Sequence, residues 1–332
     1  MSAQSTATAE TPTGARPGGY RPPDPIPVPP LFRWPLRLKA CAHWLWHAMV
    51  FPYGIFYLGL AAVTWHFLTP DPAQMATLHP GWMALIWLRN AVLLSLTAGG
   101  LHWWLYIKRR QNQAFKFDPR WPATRNRTFL WGNQVRDNMF WSLASGSLIW
   151  SLYEAITLWL YAGGRIPQIA WGEAPLYLSA MALVIFFWGT FHFYWIHRFL
   201  HWPPLYRIAH ELHHRNVNIG PWSGISMHPV EHLLYFSAIA LWWVVPTNPV
   251  IVIATGFFFG LGPAFSHSGF ERVTLRGRQN ALPAGDYFHQ LHHRYFEVNY
   301  GNIPTPLDHL FGTWHDGSDE AHLRFMARRR IG

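Results

Sequence analysis

Long apolar stretches separated by short polar ones run through this chain as far as residue 265. Four lie at roughly 42–68, 82–107, 138–162 and 176–196. Each is long enough for a helix to cross a hydrocarbon core about 30 Å thick, which takes about 20 residues. A fifth region, 233–265, holds two shorter apolar runs separated by Pro246-Thr-Asn-Pro249. Runs of that length predict a tight hairpin that dips into the membrane or barely crosses it. Beyond it the pattern turns polar. The expected fold is an all-α integral membrane protein with about four transmembrane helices, a short hairpin and a helical cap outside the bilayer.

Composition supports that pattern. Half of the 332 residues are apolar, 21 are Trp and only 13% are charged, against about a quarter in soluble domains. The basic residues orient the spans. Lys108, Arg109, Arg110, Lys116, Arg120, Arg125 and Arg127 crowd one connection, and Arg33, Arg37 and Lys39 precede the first span. The loop 69–81 has neither Lys nor Arg, and 163–175 has only Arg165. Positive residues stay inside, so the N-terminus, the 108–137 segment and everything after the fourth span are expected on the cytoplasmic face. The net charge of +10 then lies where anionic headgroups meet it, and no nucleic-acid partner is expected. Cys41 is the sole cysteine, which excludes a disulfide framework and a thiolate metal site. The start shows no short apolar core with a small-residue cleavage site, so no cleaved signal is expected. Residues 1–40 form a Pro-rich tail expected to be disordered, 41–175 an N-terminal transmembrane region, and 317–332 a basic C-terminal tail.

The chemistry sits in three histidine clusters: His197-Arg-Phe-Leu-His201, His210-Glu-Leu-His213-His214 and His289-Gln-Leu-His292-His293. Helical residues three and four apart share a face, so each cluster can aim two or three ring nitrogens at one point. Neutral imidazole is a good ligand for iron, zinc, copper or nickel. Eight imidazoles exceed the three or four that one zinc takes and suit a pair of metal ions. Pro203-Pro204 should end the helix that carries the first cluster, so three separate elements must converge, just outside the bilayer and within reach of a lipid chain. Other histidines are weaker signals. His228-Pro-Val-Glu231-His232 has ligand spacing, but Pro229 also suits a helix start; His267, in Phe265-Ser-His-Ser-Gly269, could complete a metal shell. His43 and His47 repeat the i, i+4 spacing inside the first span with no second cluster nearby, which favours packed or interfacial side chains.

Over roughly 180–316 these residues resemble the fatty acid hydroxylase and sterol desaturase superfamily of membrane di-metal oxygenases. The resemblance rests on Tyr194-Trp-Ile-His-Arg-Phe-Leu-His201, His210 to His214, His228-Pro-Val-Glu231, His267 with Gly269, His289 to His293, Asn299-Tyr-Gly301, Asp308 and Phe311-Gly-Thr313. Asn133-Gln-Val-Arg136 is similar to the sterol 5-desaturase branch. The resemblance implies a catalytic region over 176–316 and a cytoplasmic cap with two histidine-bound irons that activate dioxygen; zinc could replace them on isolation, because imidazole sites accept it readily. It implies His197, His201, His210, His213, His214, His289, His292 and His293 as ligands, His267 as a ninth and His228 as a tenth candidate. It also implies a membrane lipid substrate and a separate electron donor, a b-type cytochrome or a ferredoxin with its reductase. Glu211, Glu231, Asp286 and Asp308 are then groups that orient imidazole N–H, while Asn299 and Asp308 could equally serve turns and caps. His192 and Leu307 depart from the family pattern, where an acid and Trp are expected. Hydroxylation and desaturation of a sterol or acyl chain stay open, as does hydroxylation of a polar headgroup. Two further classes compete. A zinc metalloprotease would use His210-Glu211-x-x-His214 with Glu211 as general base; a metal transporter would place its ligands near the membrane midplane.

Overall fold

The structure, a computed structural model, describes residues 15, 16, 19–276 and 280–331; the first 14 residues of the expected disordered tail lie outside them. Helices account for nearly all regular structure, and two two-stranded antiparallel pairs complete it. α1 (Leu38–Val50) and α2 (Tyr53–Phe67) form a bent pair, α3 runs Pro80–Ile107, and α5 runs Pro175–Leu200. Between these two, α4 comprises Gln134–Trp141, the wide turn Ser142–Gly146 and Ser147–Ala162. α6 comprises Pro203–Leu205, Tyr206–His210 and Glu211–His214. α7 (Pro229–Phe236) leads through a tighter turn to α8 (Pro249–Ser266). After the hairpin Arg272–Arg276/Asn280–Pro283 come α9 (Tyr287–Tyr295), α10 (Leu307–Leu310) and α11 (Asp319–Ile331).

Local chemistry explains the helix starts. Pro80, Pro175, Pro203, Pro229 and Pro249 each occupy the first turn, where a missing N–H costs nothing. Asn133, Asn248 and Asp286 accept the N–H of Arg136, Val250 and His289, satisfying donors with no partner inside the helix.

Among the described residues, three helices are long and apolar enough to cross a membrane, α3, α5 and α8, and the α1–α2 pair makes a fourth if it is one span. The protein is a multi-pass membrane protein. Two expectations shift. The stretch 138–162, expected as a span, is not among these helices; α4 carries Asp137, Glu154 and several serines. Glu154 pairs with Arg89 of α3 and accepts from Asn90 Nδ2 at 2.9 Å, and Asn90 also reaches Ser151 at 3.1 Å. A buried polar network of this kind supplies the partners that lipid cannot. The expected hairpin is present, with Tyr235 Oη donating to the Phe259 carbonyl at 3.1 Å and Trp242 Nε1 to Thr255 Oγ1 at 2.8 Å, but its second arm, α8, is long enough to cross, with 72% of its apolar window buried inside the protein. It is the central helix, packed against α2, α4 and α5. Gly256 and Gly260 make the seat for fully buried Trp150 of α4: a Cβ at either would lie 2.5–2.6 Å from its ring.

The Pro-rich stretch is held from Gly19 onward. Tyr20 N–H donates to Lys116 at 2.7 Å and Ile26 N–H to Asp316 at 2.8 Å. Arg21 pairs with Asp319 at 3.2 Å. The segment expected as a basic tail is the helix α11.

Candidate metal centre

Each cluster lands on a separate element, as Pro203-Pro204 required. His197 and His201 end α5, His210, His213 and His214 lie on α6, and His289, His292 and His293 lie on α9. His267 follows α8. The nine form two groups. Ligand atoms of His197, His201, His210, His214 and His292 lie within 4.8 Å of one another, as do those of His213, His267, His289 and His293.

The clusters do not each aim at one point. Successive helical residues turn by about 100°, so each H-x-x-H-H splits. α6 gives its i, i+4 pair His210 and His214 to the first group and His213 to the second. α9 gives His289 and His293 to the second and His292 to the first. The doubled motif thus bridges two adjacent centres, with ring centroids 5.6–5.9 Å apart across the divide within each motif and 5.0 Å apart between His214 and His293.

The donor set fits metal. In the second group the Nε2 atoms of His267, His289 and His293 form a triangle with sides of 3.1–3.2 Å. A neutral ring nitrogen holds either one N–H or one lone pair, and a triangle would bend each hydrogen bond by about 60°, below useful strength. Three lone pairs converging on one point make a cradle. Ligand nitrogens about 2.0–2.1 Å from a shared ion stand at about this separation. The first group repeats it: Nε2 of His201 lies 3.2 Å from those of His210 and His292, and His292 lies 3.0 Å from His214. His197 Nε2 is buried without a partner among the described residues. Burial, ahead of neighbouring rings, holds His210, His214, His289, His292 and His293 well below the usual imidazole range; burial, against the pull of the Ser226 carbonyl, holds His213 at about 4. The rings are therefore neutral and free to ligate.

Outer nitrogens are braced from behind. His210 Nδ1 faces Glu231 Oε1 at 2.8 Å, His292 Nδ1 the Val298 carbonyl at 2.6 Å, and His197 Nδ1 the Tyr300 carbonyl at 2.5 Å. Asp308 fixes that last carbonyl by accepting from Tyr300 N, Gly301 N and Thr313 Oγ1 at 2.9, 2.7 and 2.6 Å. Asn299, at φ +56°, accepts from His315 N and donates to the carbonyls of Phe288 and His315. Asn299-Tyr-Gly301, Asp308 and Thr313 are thus one brace. At the other side, Asp137 takes both oxygens to Arg215 at 2.8 Å, and Gln134 Nε2 donates to Asn216 and Asn218, pinning the chain after His214 to the start of α4.

Four sequence candidates fall elsewhere. His228 belongs to neither group; its Nδ1 accepts from Val230 N and caps α7. His232 contacts Ile225 O and Ser145 Oγ. Asp286 caps the backbone of α9 rather than a ring. Glu211 is exposed and faces away from both groups, so the general base a zinc protease needs is not at the centre. The carbonyls of Val298 and Tyr300 carry no sequence signal.

A cavity of about 630 Å³ opens beside the centre. Phe186, Phe193, Phe258, Phe259 and Tyr57 line its apolar wall; His197, His210, His213, His267 and His289 reach it. Residues 22 and 24–27 form part of its rim. Its lining includes Asp24, Glu231, Glu271 and Asp286 but, among the described residues, no Lys or Arg.

Residues 182–313, which hold all nine histidines, match the fatty acid hydroxylase family. A Delta(7)-sterol-C5(6)-desaturase of Nicotiana tabacum is 30% identical over 244 residues, covering 70% of this chain and 84% of that protein. The chain belongs to the fatty acid hydroxylase family, in its sterol 5-desaturase branch. The Delta(7)-sterol 5(6)-desaturase of Eremothecium gossypii is 28% identical over 45% of this chain and 41% of its own length. Delta(7)-sterol 5(6)-desaturase ERG3 of Saccharomyces cerevisiae is 30% identical over 38% and 33%. The match thus spans less than half the length of these two fungal relatives. No solved structure matches. As a member of this family the chain is an oxygen-dependent oxidoreductase, a lipid hydroxylase or desaturase.

Proposed function

We propose that the protein is a di-iron oxygenase that desaturates or hydroxylates a membrane lipid of sterol type, drawing on dioxygen and external electrons. The observation that carries the reading is the two adjacent all-imidazole groups on the wall of an apolar cavity. His197, His201, His210, His214 and His292 would hold one iron, and His213, His267, His289 and His293 the other. The bound irons would supply the oxidising power for an unactivated C–H bond. The chain's own residues do the rest. The aromatic wall excludes water and seats a rigid apolar body; Glu231 and Tyr300 fix His210 and His197, which face it. A lining with four carboxylates and no cation offers nothing to a free carboxylate or phosphate, which favours an uncharged sterol-like substrate over a free fatty acid or a phospholipid headgroup. The basic residues after α3, against none in the loop before it, support a cytoplasmic cap and N-terminus.

Two measurements test this. Metal analysis of purified protein should find two iron ions per chain. Zinc in both positions would be compatible, because imidazole sites accept it readily; a single ion per chain would not. Lipid extracts of a null mutant and its parent should differ by a species 2 mass units lighter or 16 heavier than its precursor, and no such difference would sink the reading.

A further inference from the structure

Two cavities flank α9. Its histidines at 289, 292 and 293 face the metal groups; at about 100° per residue, Gln290, Leu291 and Arg294 point the other way. These three line a second pocket of about 260 Å³, together with Arg21 and Arg120. Its single lining acid, Asp118, pairs with Arg120 at 2.5 Å, and Arg21 pairs at 3.2 Å with Asp319, which is not in the lining. The first cavity has four carboxylates and no cation; this one has three guanidinium groups. Arg120 is 70% exposed and Arg294 is exposed too. Gln290 is only 7% exposed, and its amide oxygen has no partner among the described residues. All of these residues lie outside the candidate spans.

The reaction's balance asks for what such a pocket would hold. Hydroxylation consumes a C–H bond, O₂, two electrons and two protons, and yields C–OH and water. Desaturation consumes two C–H bonds with the same O₂, electrons and protons, and yields C=C and two waters. In both, dioxygen takes four electrons and the lipid gives two. A reductant must supply the other two.

We propose that the Arg21–Arg120–Arg294 pocket docks an acidic one-electron carrier protein, whose electrons reach the metal groups across α9. The inference rests on the oxygenase reading above. Guanidinium forks suit surface carboxylates. With its side chains α9 is about 10–12 Å across, so a carrier seated here stands one helix from the histidines. It also leaves the lipid cavity on the opposite face free. Attraction between exposed charges is screened by salt, so docking should weaken as ionic strength rises.

The test compares two reductants on the whole protein in lipid: a reduced acidic [2Fe–2S] ferredoxin, and dithionite with a small mediator. In the double variant Arg120→Glu/Arg294→Glu, the ferredoxin concentration for half-maximal turnover should rise about tenfold or more, and its salt dependence should flatten. Dithionite-driven product formation should stay within about twofold. Arg294→Gln should show a smaller shift in the same direction. Arg136→Glu, which reverses an exposed charge outside the pocket, should change neither. Unchanged ferredoxin dependence, or an equal loss with dithionite, would overturn the proposal. So would an unmodified protein that turns over with dithionite but not with the acidic carrier. If neither reductant changes the lipid, the oxygenase reading falls first and the docking site with it.

Discussion

The two histidine groups share a ligand type and differ in how they are held. In the five-membered group three rings are gripped from behind: His210 by Glu231, His292 by Val298 and His197 by Tyr300, at 2.5–2.8 Å. In the four-membered group the grips are longer and fewer. His213 meets the Ser226 carbonyl at 3.4 Å and His267 the Ser266 hydroxyl at 3.1 Å, while Nδ1 of His289 and of His293, like that of His214 in the first group, has no partner among the described residues. Outer partners fix tautomer and orientation and change metal affinity 10–100-fold. The difference assigns a rigid centre and an adaptable one. The cavity touches three rings of the adaptable group and two of the rigid one, so the looser centre faces more of the substrate.

The largest effect should come from removing a ring. His292→Ala and His293→Ala should each cut turnover more than about 100-fold, beyond the loss of an outer partner, and each should leave one iron per chain instead of two. If His292→Ala kept both irons, the first group would not be a single site. The braces come next. Glu231→Ala should cost about 10–100-fold in activity or iron affinity, and Ser266→Ala only a few-fold. Equal costs would erase the contrast between the groups. Chelation should sharpen it: iron should leave in two phases, the faster from the four-histidine group. His293→Ala should abolish the fast phase and His292→Ala the slow one.

Much of this centre was legible in the sequence because ligation demands a residue type at a helical spacing, and spacing is local. All nine converging histidines stood out, including His267. Three things were not legible. How each H-x-x-H-H divides between centres depends on where α6 and α9 sit relative to each other. His228 has ligand spacing, but Pro229 behind it makes it a cap. The carbonyls of Val298 and Tyr300 have no side-chain signature. In the fold, apolar length located α1–α2, α3 and α5, whereas the partner that Arg89 gives to Glu154 of α4 exists only in three dimensions. Apolar length also located the hairpin of 233–265, whose arms pack antiparallel, but not that its second arm, α8, is the central helix that seats Trp150 on Gly256 and Gly260.

The smallest expected effect concerns the floor beside the adaptable group. Burial, and then the neighbouring Asp286 carboxyl, push Glu271 up to about 7 against the pull of Arg272. Asp286 is raised to about 6, chiefly by burial. A carboxyl raised in the folded state keeps its proton after the unfolded chain has lost it, so the native state binds more protons across that window. Stability then falls as pH climbs from about 4.5 towards 7. Glu271→Gln keeps the shape and removes that proton. Between pH 5 and 7.5 the melting temperature of the detergent-solubilised protein should fall further than that of the variant, by about 2–4 °C. Asp286 acts in both proteins, so the variant's slope should shrink without vanishing. Parallel curves would mean that Glu271 ionises as freely in the fold as out of it, and that the floor under the looser centre is wetter than its burial implies.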